Sequence, residues 1–296
     1  MKENVKAVLA LGFFDSVHAG HRQVISEAKR IAEQLSAKPV IVSFDGNLKA
    51  AVKGDAFKCV YSTEERKKLF SETGVKDVWF APVNKEFLSL KKEEFLKLLN
   101  EKFNVCGYVC GKDYRFGFNG QGNVLFLKDF AESSGQKLKI VEDVFFEGVK
   151  VSTSYVKDLL SSGDVEKAGK ILCHPYFITG KVGTGRGVGR NLGFPTANIS
   201  IGEDKYPLKN GVYEGYSQIG RKTYNAVINY GGAPTFGIAE VKAEAYFIDF
   251  NKDLYGQEIT LYFKRFLRET EKFSNAAKLK ERVEKDVLSV MEKRYD

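Results

Sequence analysis

The sequence has few of the residues and patterns that mark secreted, membrane-bound or disulfide-stabilised proteins. Its four cysteines, at positions 59, 106, 110 and 173, are too few for a disulfide scaffold, and the 106/110 pair lacks the C-x-x-C spacing of redox and zinc sites. We expect these thiols to be small buried hydrophobic groups. No early apolar run is long enough for a signal peptide, and none approaches the roughly 18 residues of a membrane span. These absences favour a cytoplasmic protein without membrane partners.

Internal repeats, low-complexity tails and the P-loop signature G-x-x-x-x-G-K-[ST] are also absent. What is present is the composition of an ordinary soluble protein, with 43% hydrophobic and 28% charged residues. A length of 296 residues favours two domains. The net charge of +8 favours anionic partners, either nucleotides or nucleic acid, although no motif of the usual nucleic-acid modules is found.

A glycine-rich stretch, residues 180–198, is the most distinctive segment of the chain. Its first fourteen residues contain six glycines and the two arginines Arg186 and Arg190. The glycines are Gly180, Gly183, Gly185, Gly187, Gly189 and Gly193. Backbone amides without Cβ atoms can form a concave nest for an anion, and guanidinium groups add charge. The composition therefore predicts a phosphate-binding loop, with a flexible linker as the alternative.

The glycine-rich stretch ends in P-T-A-N, which includes Pro195, Thr196 and Asn198. In an extended segment, Thr196 and Asn198 lie two residues apart and point to the same side, so both oxygens could bind one hard cation. A Mg²⁺ ion beside a phosphate-binding loop predicts phosphoryl transfer.

A turn near the start of the chain carries two of its three histidines. The apolar run 5–11 predicts a buried strand that ends at Gly12, and apolar residues at helical spacing follow from Ile25. His18 and His21 lie between them, where a strand ends and a helix begins, which is where α/β sheets bind phosphates. Zinc is disfavoured because no further ligands lie nearby in sequence. The imidazoles are predicted to donate to phosphate oxygens.

Strands and helices continue to alternate up to about residue 141, which predicts a parallel sheet with helices on both faces. The loop G-K-D-Y-R-F-G, with Lys112 and Arg115, follows a predicted strand and could stack a ring and hold a phosphate, or be an ordinary surface loop. The segment V-S-T-S-Y-V-K ends at Lys157 and could donate to a phosphate or simply cap a helix.

The second half of the chain is rich in β-forming residues separated by Gly, Asn and Asp turns, which predicts a small barrel. We place the domain boundary near residue 172, giving domains 1–172 and 173–296. Glu244 lies among apolar residues of a predicted strand, so its carboxylate is either partly desolvated and more basic or exposed to solvent. An amphipathic helix from Ser274 onward closes this domain.

These segments together resemble the prokaryotic bifunctional riboflavin kinase/FAD synthetases over nearly the whole chain. G-F-F-D-S-V-H-A-G-H-R is similar to the family's G-N-F-D-G-V-H-L-G-H-R, and G-K-D-Y-R-F-G to its G-x-D-F-R-F-G. G-R-N-L-G-F-P-T-A-N, N-Y-G-G-A-P-T-F and D-F-N-K-D-L-Y-G follow in the family's order. The resemblance implies an α/β nucleotidyltransferase domain of Rossmann-like topology, followed by an all-β riboflavin kinase barrel with a C-terminal helix.

The resemblance implies a complete kinase site in the barrel. Thr196 and Asn198 would hold Mg²⁺ and ATP phosphates, the glycine-rich loop would cover the phosphates, and Glu244 would take the proton of the ribityl 5′-hydroxyl to give FMN. The implied substrate-binding positions in this half are Gly183, Gly185, Arg186, Gly189, Arg190, Pro195, Asn229 and Arg268.

In the first domain, the resemblance implies that the FMN phosphate attacks the α-phosphate of a second ATP to give FAD and pyrophosphate. His18 and His21 would stabilise the charge of the transition state. The implied binding positions are Gly12, Asp15, Gly20, Gly111, Asp113, Arg115, Ser152, Thr153, Ser154 and Lys157.

The chain departs from the family pattern mainly in this first site. Phe13 replaces an Asn, Ser16 replaces a Gly, residues 43–47 replace F-E-P-H-P, and Lys157 replaces the Arg of S-S-T-x-I-R. A Lys keeps the charge but loses the bidentate fork. A monofunctional riboflavin kinase is therefore the alternative, and a non-catalytic flavin- or nucleic-acid-binding regulator is a second. We expect small-molecule substrates, no nucleic-acid partner, and a monomer or weak homo-oligomer.

Overall fold

The computed structural model describes residues 5–46, 51, 57–185, 189, 192–232 and 241–292. Within it the chain forms two compact units, Met1–Tyr155 and Val156–Asp296. Two predicted phosphate-binding residues, Arg186 and Arg190, lie outside the described residues, as does the end of the N-Y-G-G-A-P-T-F turn after Gly232.

The first unit contains a five-stranded parallel sheet in the order β3-β2-β1-β4-β5. Its strands are β1 Lys6–Leu11, β2 Lys38–Asp45, β3 Asp77–Pro82, β4 Asn104–Gly111 and β5 Lys137–Val141. The helices that begin in this unit are α1 Ala19–Gln34, α2 Thr63–Glu72, α3 Lys85–Leu88, α4 Lys92–Lys102, α5 Val124–Ser133 and α6 Thr153–Ser162. A hairpin of β6 Phe145–Phe146 and β7 Val149–Lys150 precedes α6.

Alternating residues of β1 are buried on opposite faces of the sheet. Leu9 and Leu11 join a cluster with Phe95 and Leu99 of α4. Val8, between Ala7 and Leu9, is buried on the other face, and α1 contacts β1, β2 and β4. The predicted parallel sheet with helices on both faces is confirmed.

The strand order places the turn after β1 at a special position. The chain runs from β1 to β2 on one side of β1, whereas β4 pairs with β1 on the other side. The order therefore reverses at the carboxyl end of β1. In open α/β sheets, ligands bind in the crevice that forms at such a switch point.

The second unit is a closed antiparallel barrel in the order β10-β11-β12-β9-β8-β13. Its strands are β8 Tyr176–Gly183, β9 Ala197–Ser200, β10 Gly211–Ile219, β11 Lys222–Gly232, β12 Val241–Phe247 and β13 Glu258–Arg268. Helix α7 Val165–Leu172 precedes the barrel and α8 Ala276–Glu292 follows it. Val287 and Val290 of α8 pack against Val212, Val227 and Ile248 of the barrel. The predicted barrel and closing helix are confirmed.

Candidate active sites

The turn between β1 and α1 brings His18 and His21 into direct contact. His18 is the N-cap of α1, and its Nδ1 accepts a hydrogen bond of 3.2 Å from the backbone N–H of His21. The two rings stack with centroids 3.7 Å apart. Because Nδ1 accepts, the proton of the neutral His18 ring is on Nε2, which is therefore a donor. The helix start supplies the partial positive charge that favours a phosphate here.

Burial controls the charge of His18, which is 6% exposed. Removal from water lowers the pKa of its imidazole from 6.5 to about 4. The ring is therefore neutral at pH 7 and can donate a hydrogen bond without carrying a full charge.

Lowering the pH from 7 to 5 is expected to destabilise the first unit through His18. The unfolded chain binds a proton below about pH 6.5, whereas the folded imidazole binds it only near pH 4, so the unfolding free energy falls as the pH falls through this window. Integration over this window gives about 2 kcal/mol at pH 5. Urea unfolding followed by the fluorescence of Trp79, the single tryptophan, reports on this unit. The His18→Asn variant should lose that part of the pH dependence, and an unchanged slope would contradict this reasoning.

Neighbouring rings pack closely against Gly12 and Gly20, so a side chain at Gly12 would displace the Phe14 ring and one at Gly20 would crowd His18. A Cβ on Gly20 would lie 3.2 Å from Cε1 of His18, and one on Gly12 would lie 2.7 Å from the ring of Phe14. Both residues therefore shape the histidine turn through close packing.

The other predicted residues of this turn make specific polar contacts. Asp15 is buried and accepts a 2.9 Å hydrogen bond from the N–H of Val60. The Ser16 and Thr153 hydroxyls lie 3.1 Å apart, so the turn meets the start of α6. Ser152 caps α6 by accepting from the N–H of Tyr155, which confirms the capping interpretation of this segment.

Lys157 and Ser154 have different surroundings. Ser154 is exposed in the first turn of α6. Lys157 is buried, and its Nζ lies 4.8 Å from the ring centroid of Tyr206 in the second unit, to which Lys157 also belongs. An aromatic face is a favourable partner for an ammonium group.

The loop after β4 is held by an ion-pair network and borders a cavity. Lys150 pairs with both Asp113 and Asp143, and Lys112 lies 2.9 Å from Asp143. Arg115 lines a cavity of about 730 Å³ together with Phe44. Gly111, at the end of β4, has open space where a side chain would be. The loop thus lies at the carboxyl edge of the sheet and lines a cavity there.

The walls of this first cavity are mainly apolar. Further lining residues include Phe87, Leu90, Phe95, Phe116 and Phe118, with polar groups at Asn84 and Asn119. A planar apolar ligand with a few polar edges fits such a lining.

In the barrel, strand pairing places the predicted kinase residues in one row. Glu244 of β12 lies opposite Asn198 of β9 and opposite Asn229 of β11. Asn198 also lies opposite Gly183 of β8. Directly opposed residues project from the same face of a sheet, so the amides flank the carboxylate.

The row continues from Asn229 to Arg268 through one intervening residue. Val212 of β10 lies opposite Asn229 on one side and Arg268 of β13 on the other. Because Val212 packs against α8, this face of the barrel is the outer one that α8 partly covers.

Glu244 is exposed, whereas its neighbours Ala243 and Ala245 are fully buried inside the barrel. The expectation of a partly desolvated carboxylate is therefore wrong, and the alternative, a carboxylate that faces solvent, is what the structure shows. Its position in the row, rather than burial, distinguishes it from other strand carboxylates.

Two cavities meet at Thr196. One, of about 620 Å³, lies between the outer face of the barrel and α8 and is lined by Thr196, Asn229, Glu244 and Arg268 together with apolar groups that include Phe194. The other, of about 390 Å³, is lined by Pro195, Thr196 and the turn 250–255. Thr196 thus separates two binding spaces of different character.

The oxygen donors around Thr196 and Asn198 fit a hard cation. No cluster of three or more His, Cys, Asp or Glu side chains suited to a metal occurs in the described part of the chain. The Nδ2 atom of Asn198 donates a hydrogen bond of 3.5 Å to Thr196 O. The other end of the amide, Oδ1, is an acceptor and could bind a cation. A Cβ on Gly185 would overlap this amide, so the described start of the glycine-rich loop lies directly against Asn198. Hydroxyl, amide and carboxylate oxygens are the ligand types that suit Mg²⁺.

Arg268 is fixed by a carboxylate of α8. Its Nε and one terminal nitrogen donate to Asp286 at 2.7–3.1 Å, and the other terminal nitrogen donates to Glu269 O. Both side chains are nearly buried, at 11% and 7% exposed. The pair joins the end of β13 to α8 at the wall of the larger cavity.

Replacing Asp286 by Ala is expected to destabilise the barrel unit by about 3–5 kcal/mol, because it removes the nearly buried carboxylate to which Arg268 donates and leaves the more exposed Glu271 as a weaker partner. Urea unfolding followed by tyrosine near-ultraviolet circular dichroism measures this loss. Glu284→Ala on the same helix removes only an exposed pair with Lys280 and should cost less than about 1 kcal/mol. Equal effects of the two substitutions would contradict the assignment.

Sequence reasoning missed Asp286 and Arg66, a buried arginine of α2. Each is a charged residue inside a helix of otherwise ordinary pattern, and helix composition alone does not distinguish it from an exposed charge. The one local signal is that the charge interrupts the apolar face of its helix.

A helix start with two histidines at the switch point of a parallel sheet, and a polar row beside a glycine-rich loop on a barrel, are features of a nucleotide-dependent transferase with two sites. A family model described as FAD synthetase matches residues 1–155, and one described as riboflavin kinase matches residues 172–293. The chain belongs to the bacterial family of bifunctional riboflavin kinase/FMN adenylyltransferases.

Relatives support this over nearly the full length. A protein of that name from Bacillus subtilis is 31% identical over 96% of this chain and 92% of its own length. One from Escherichia coli K12 is 28% identical over 96% and 92%. A Streptococcus pneumoniae crystal structure, described as a macrolide-efflux protein, is 27% identical, with a TM-score of 0.90 over 100% of this chain and 96% of that one. Among the described residues, no helix is both long and apolar enough to cross a bilayer.

These comparisons confirm the predicted family and fold class, with a riboflavin kinase domain and an FMN adenylyltransferase domain in one enzyme. Its substrates are ATP, riboflavin and FMN, and its final product is FAD.

Proposed function

We propose that residues 173–296 transfer the γ-phosphoryl group of ATP to riboflavin, and that residues 1–172 transfer AMP from a second ATP to the resulting FMN. The observation that carries the proposal is the cross-strand row of Asn198, Glu244 and Asn229 beside Thr196. Pure binding of a flavin would not require a carboxylate between two amides next to a phosphate-binding loop.

In the kinase site, the larger cavity binds the flavin ring and the smaller one binds the nucleotide. The larger cavity has apolar walls that include Phe194 and Tyr246, which suit an aromatic ring system. Thr196 lies where the two cavities meet, so the phosphate chain and the ribityl chain approach each other there. Gly183, Gly185, Gly189 and Pro195 shape the backbone around the phosphates, and Arg186 and Arg190 add positive charge.

Glu244 accepts the proton of the ribityl 5′-hydroxyl. The hydroxyl oxygen bonds to the γ-phosphorus of ATP, and the bond between that phosphorus and the β,γ-bridging oxygen breaks, so ADP leaves. Asn229 orients the ribityl chain and Arg268 holds the flavin end of the cavity. Thr196 and Asn198 would hold Mg²⁺, which would supply positive charge to the phosphate oxygens. The carboxylate of Glu244 is exposed to water in the absence of substrate. Bound substrate would then exclude water from it.

In the adenylyltransferase site, an oxygen of the FMN phosphate attacks the α-phosphorus of ATP and pyrophosphate leaves. His18 donates from Nε2, and His21 donates from the adjacent turn of α1 to the same phosphates. The apolar cavity beside Arg115 binds the flavin ring. Gly111 and Asp113, at the end of β4 and in the loop that follows, contribute to substrate binding from the same edge of the sheet. Gly12, Asp15 and Gly20 form the turn around the phosphates.

The hydroxyl groups of residues 152–154 complete this phosphate site. Thr153 already contacts the histidine turn through Ser16, and Ser154 is exposed at the start of α6. Lys157 instead directs its ammonium group to Tyr206, so we assign the phosphate contacts to the hydroxyls and not to this lysine.

One assay tests the whole proposal. Purified protein is incubated with riboflavin, ATP and Mg²⁺, and the flavins are separated by chromatography. FMN followed by FAD is the expected result. FMN alone would support a monofunctional kinase, and neither product would support a flavin-binding regulator.

We also propose that the enzyme acts in the cytoplasm on small molecules alone, as a monomer or weak homo-oligomer. Its positive charge, +8 overall, serves the anionic phosphates of ATP and FMN rather than nucleic acid. Sedimentation with and without added RNA would reveal any larger assembly.

A further inference from the structure

Arg66 is a fully buried guanidinium that binds backbone at the edge of the adenylyltransferase site. It lies on α2, is 1% exposed, and none of the proposed steps uses it. One terminal nitrogen donates to Phe13 O at 3.2 Å and to Ser43 Oγ at 2.8 Å. The other donates to Phe44 O at 2.9 Å, to Gly46 O at 3.2 Å and to Thr63 Oγ1 at 3.2 Å.

The surroundings of Arg66 keep it charged despite its burial. Burial lowers the pKa of the guanidinium, and the nearby carboxylate of Asp15 acts in the opposite direction. The rings of Phe13 and Phe80 have their centroids 5.0 and 5.7 Å from its central carbon. Only a planar fork with several donors can bind so many acceptors at once while lying against aromatic faces, so a lysine cannot replace it.

Through these bonds Arg66 connects two loops at the carboxyl edge of the sheet. Phe13 belongs to the histidine turn after β1, whereas Phe44 and Gly46 lie at the end of β2. Ser43 strengthens the connection, because its hydroxyl donates to Phe13 O at 2.9 Å. The two loops are therefore held at a fixed separation.

The histidine turn needs such support because its backbone is strained. Phe14 has φ 53° and Val17 has φ 45°, which is the left-handed region that side chains with a Cβ rarely adopt. Arg66 binds the carbonyl just before Phe14, and Arg22 Nε binds the carbonyl of Val17 at 3.2 Å. A guanidinium thus holds each end of the segment that leads into His18.

The backbone at the end of β2 has little stiffness of its own. Gly46 has φ 99°, a conformation that glycine reaches without steric cost and does not hold by itself. Hydrogen bonds from Arg66 to Phe44 O and Gly46 O fix the backbone there.

We infer that Arg66 is a positioning residue for adenylyl transfer, which holds the turn of His18 and His21 in register with the loop after β2. It touches neither substrate nor any reacting atom and acts through the backbone of both loops. The inference rests on the proposed adenylyl transfer.

The test compares Arg66→Lys and Ser43→Ala with wild type in FAD formation from supplied FMN and ATP. Misplacement by about 1 Å can cost on the order of 100-fold in rate, so Arg66→Lys is expected to lower kcat by about 10- to 100-fold. The KM values should change by less than about threefold, because the cavities themselves are retained. Ser43→Ala removes two hydrogen bonds, one from Arg66 and one to Phe13 O, without removing the charge, so a smaller loss of about threefold is expected. Riboflavin phosphorylation by the same samples should be unchanged.

Arg30→Lys is the matched control, because Arg30 lies exposed on α1, where it pairs with Glu27 of the same helix. Unfolding followed by Trp79 fluorescence shows whether the first unit remains folded. A folded Arg66→Lys variant with wild-type kcat would overturn the inference, as would a loss that only follows reduced stability and vanishes on cooling. If the wild-type protein forms no FAD, the proposed adenylyl transfer itself is wrong. If wild type forms FAD and folded Arg66→Lys forms it equally fast, only the inference about Arg66 is wrong.

Discussion

Replacing Glu244 by Gln is expected to abolish most riboflavin phosphorylation while FAD formation from supplied FMN continues. Gln is nearly isosteric and keeps the exposed position on β12, but its amide cannot accept the proton of the ribityl hydroxyl. Loss of a positioned general base typically lowers the rate by about 10²–10⁴-fold. The structure supports this role because Glu244 lies opposite both Asn198 and Asn229 in the strand register.

The measurement is FMN produced per enzyme with saturating riboflavin, ATP and Mg²⁺. Glu258→Gln, at an exposed position where β13 begins, is the matched control and should retain wild-type rates. Asn198→Ala should reduce kinase turnover at least as much as Glu244→Gln, because phosphoryl transfer depends mainly on positioning and charge neutralisation. A Glu244→Gln or Asn198→Ala enzyme with full kinase activity would refute the assignment of this site.

Replacing His18 by Asn is expected to abolish most FAD formation while riboflavin phosphorylation continues. Asn is among the best N-cap residues, so α1 keeps its cap and the first unit should still fold. What is lost is the Nε2–H donor beside the start of α1, where phosphate charge develops. Removing one such donor costs about 10²–10³-fold in kcat.

The matched control for this experiment is the third histidine. His174 lies in the second unit, where its Nδ1 is 2.9 Å from Pro175 O, and His174→Asn should leave FAD formation from FMN unchanged. The His21→Asn variant should behave like His18→Asn, because the two rings are stacked at one helix start. If His18→Asn formed FAD at the wild-type rate in a folded protein, the histidine turn would not be part of the site.

Two activities on one chain make each set of variants a control for the other. The row on the barrel and the histidine turn belong to different compact units. A variant that loses one activity and retains the other has therefore not simply failed to express or fold. Parallel loss of both activities would point instead to general instability.

Several features of the fold could be predicted from local pattern. Alternation of apolar strands with helical spacing predicted the parallel sheet, and the β-rich second half predicted the barrel. The S-T-E-E pattern at residues 62–65 is typical of a capping box, and both hydrogen bonds between Ser62 and Glu65 are present at the start of α2. The short strand β9 and the hairpin of β6 and β7 were not identified, because two to four residues are too few to show a period.

The sequence by itself determined which chemistry the chain carries, since the glycine-rich stretch, P-T-A-N and H-A-G-H each lie within a few neighbouring residues. Only the tertiary structure decided that Asn198, Glu244 and Asn229 form one row, that Glu244 is exposed, and that Lys157 lies against Tyr206. Only it revealed that Arg66 binds two loops at once. The physical reason is that motifs depend on the local spacing of residues, whereas strand register and buried hydrogen bonds join residues distant in sequence and form only when the core packs.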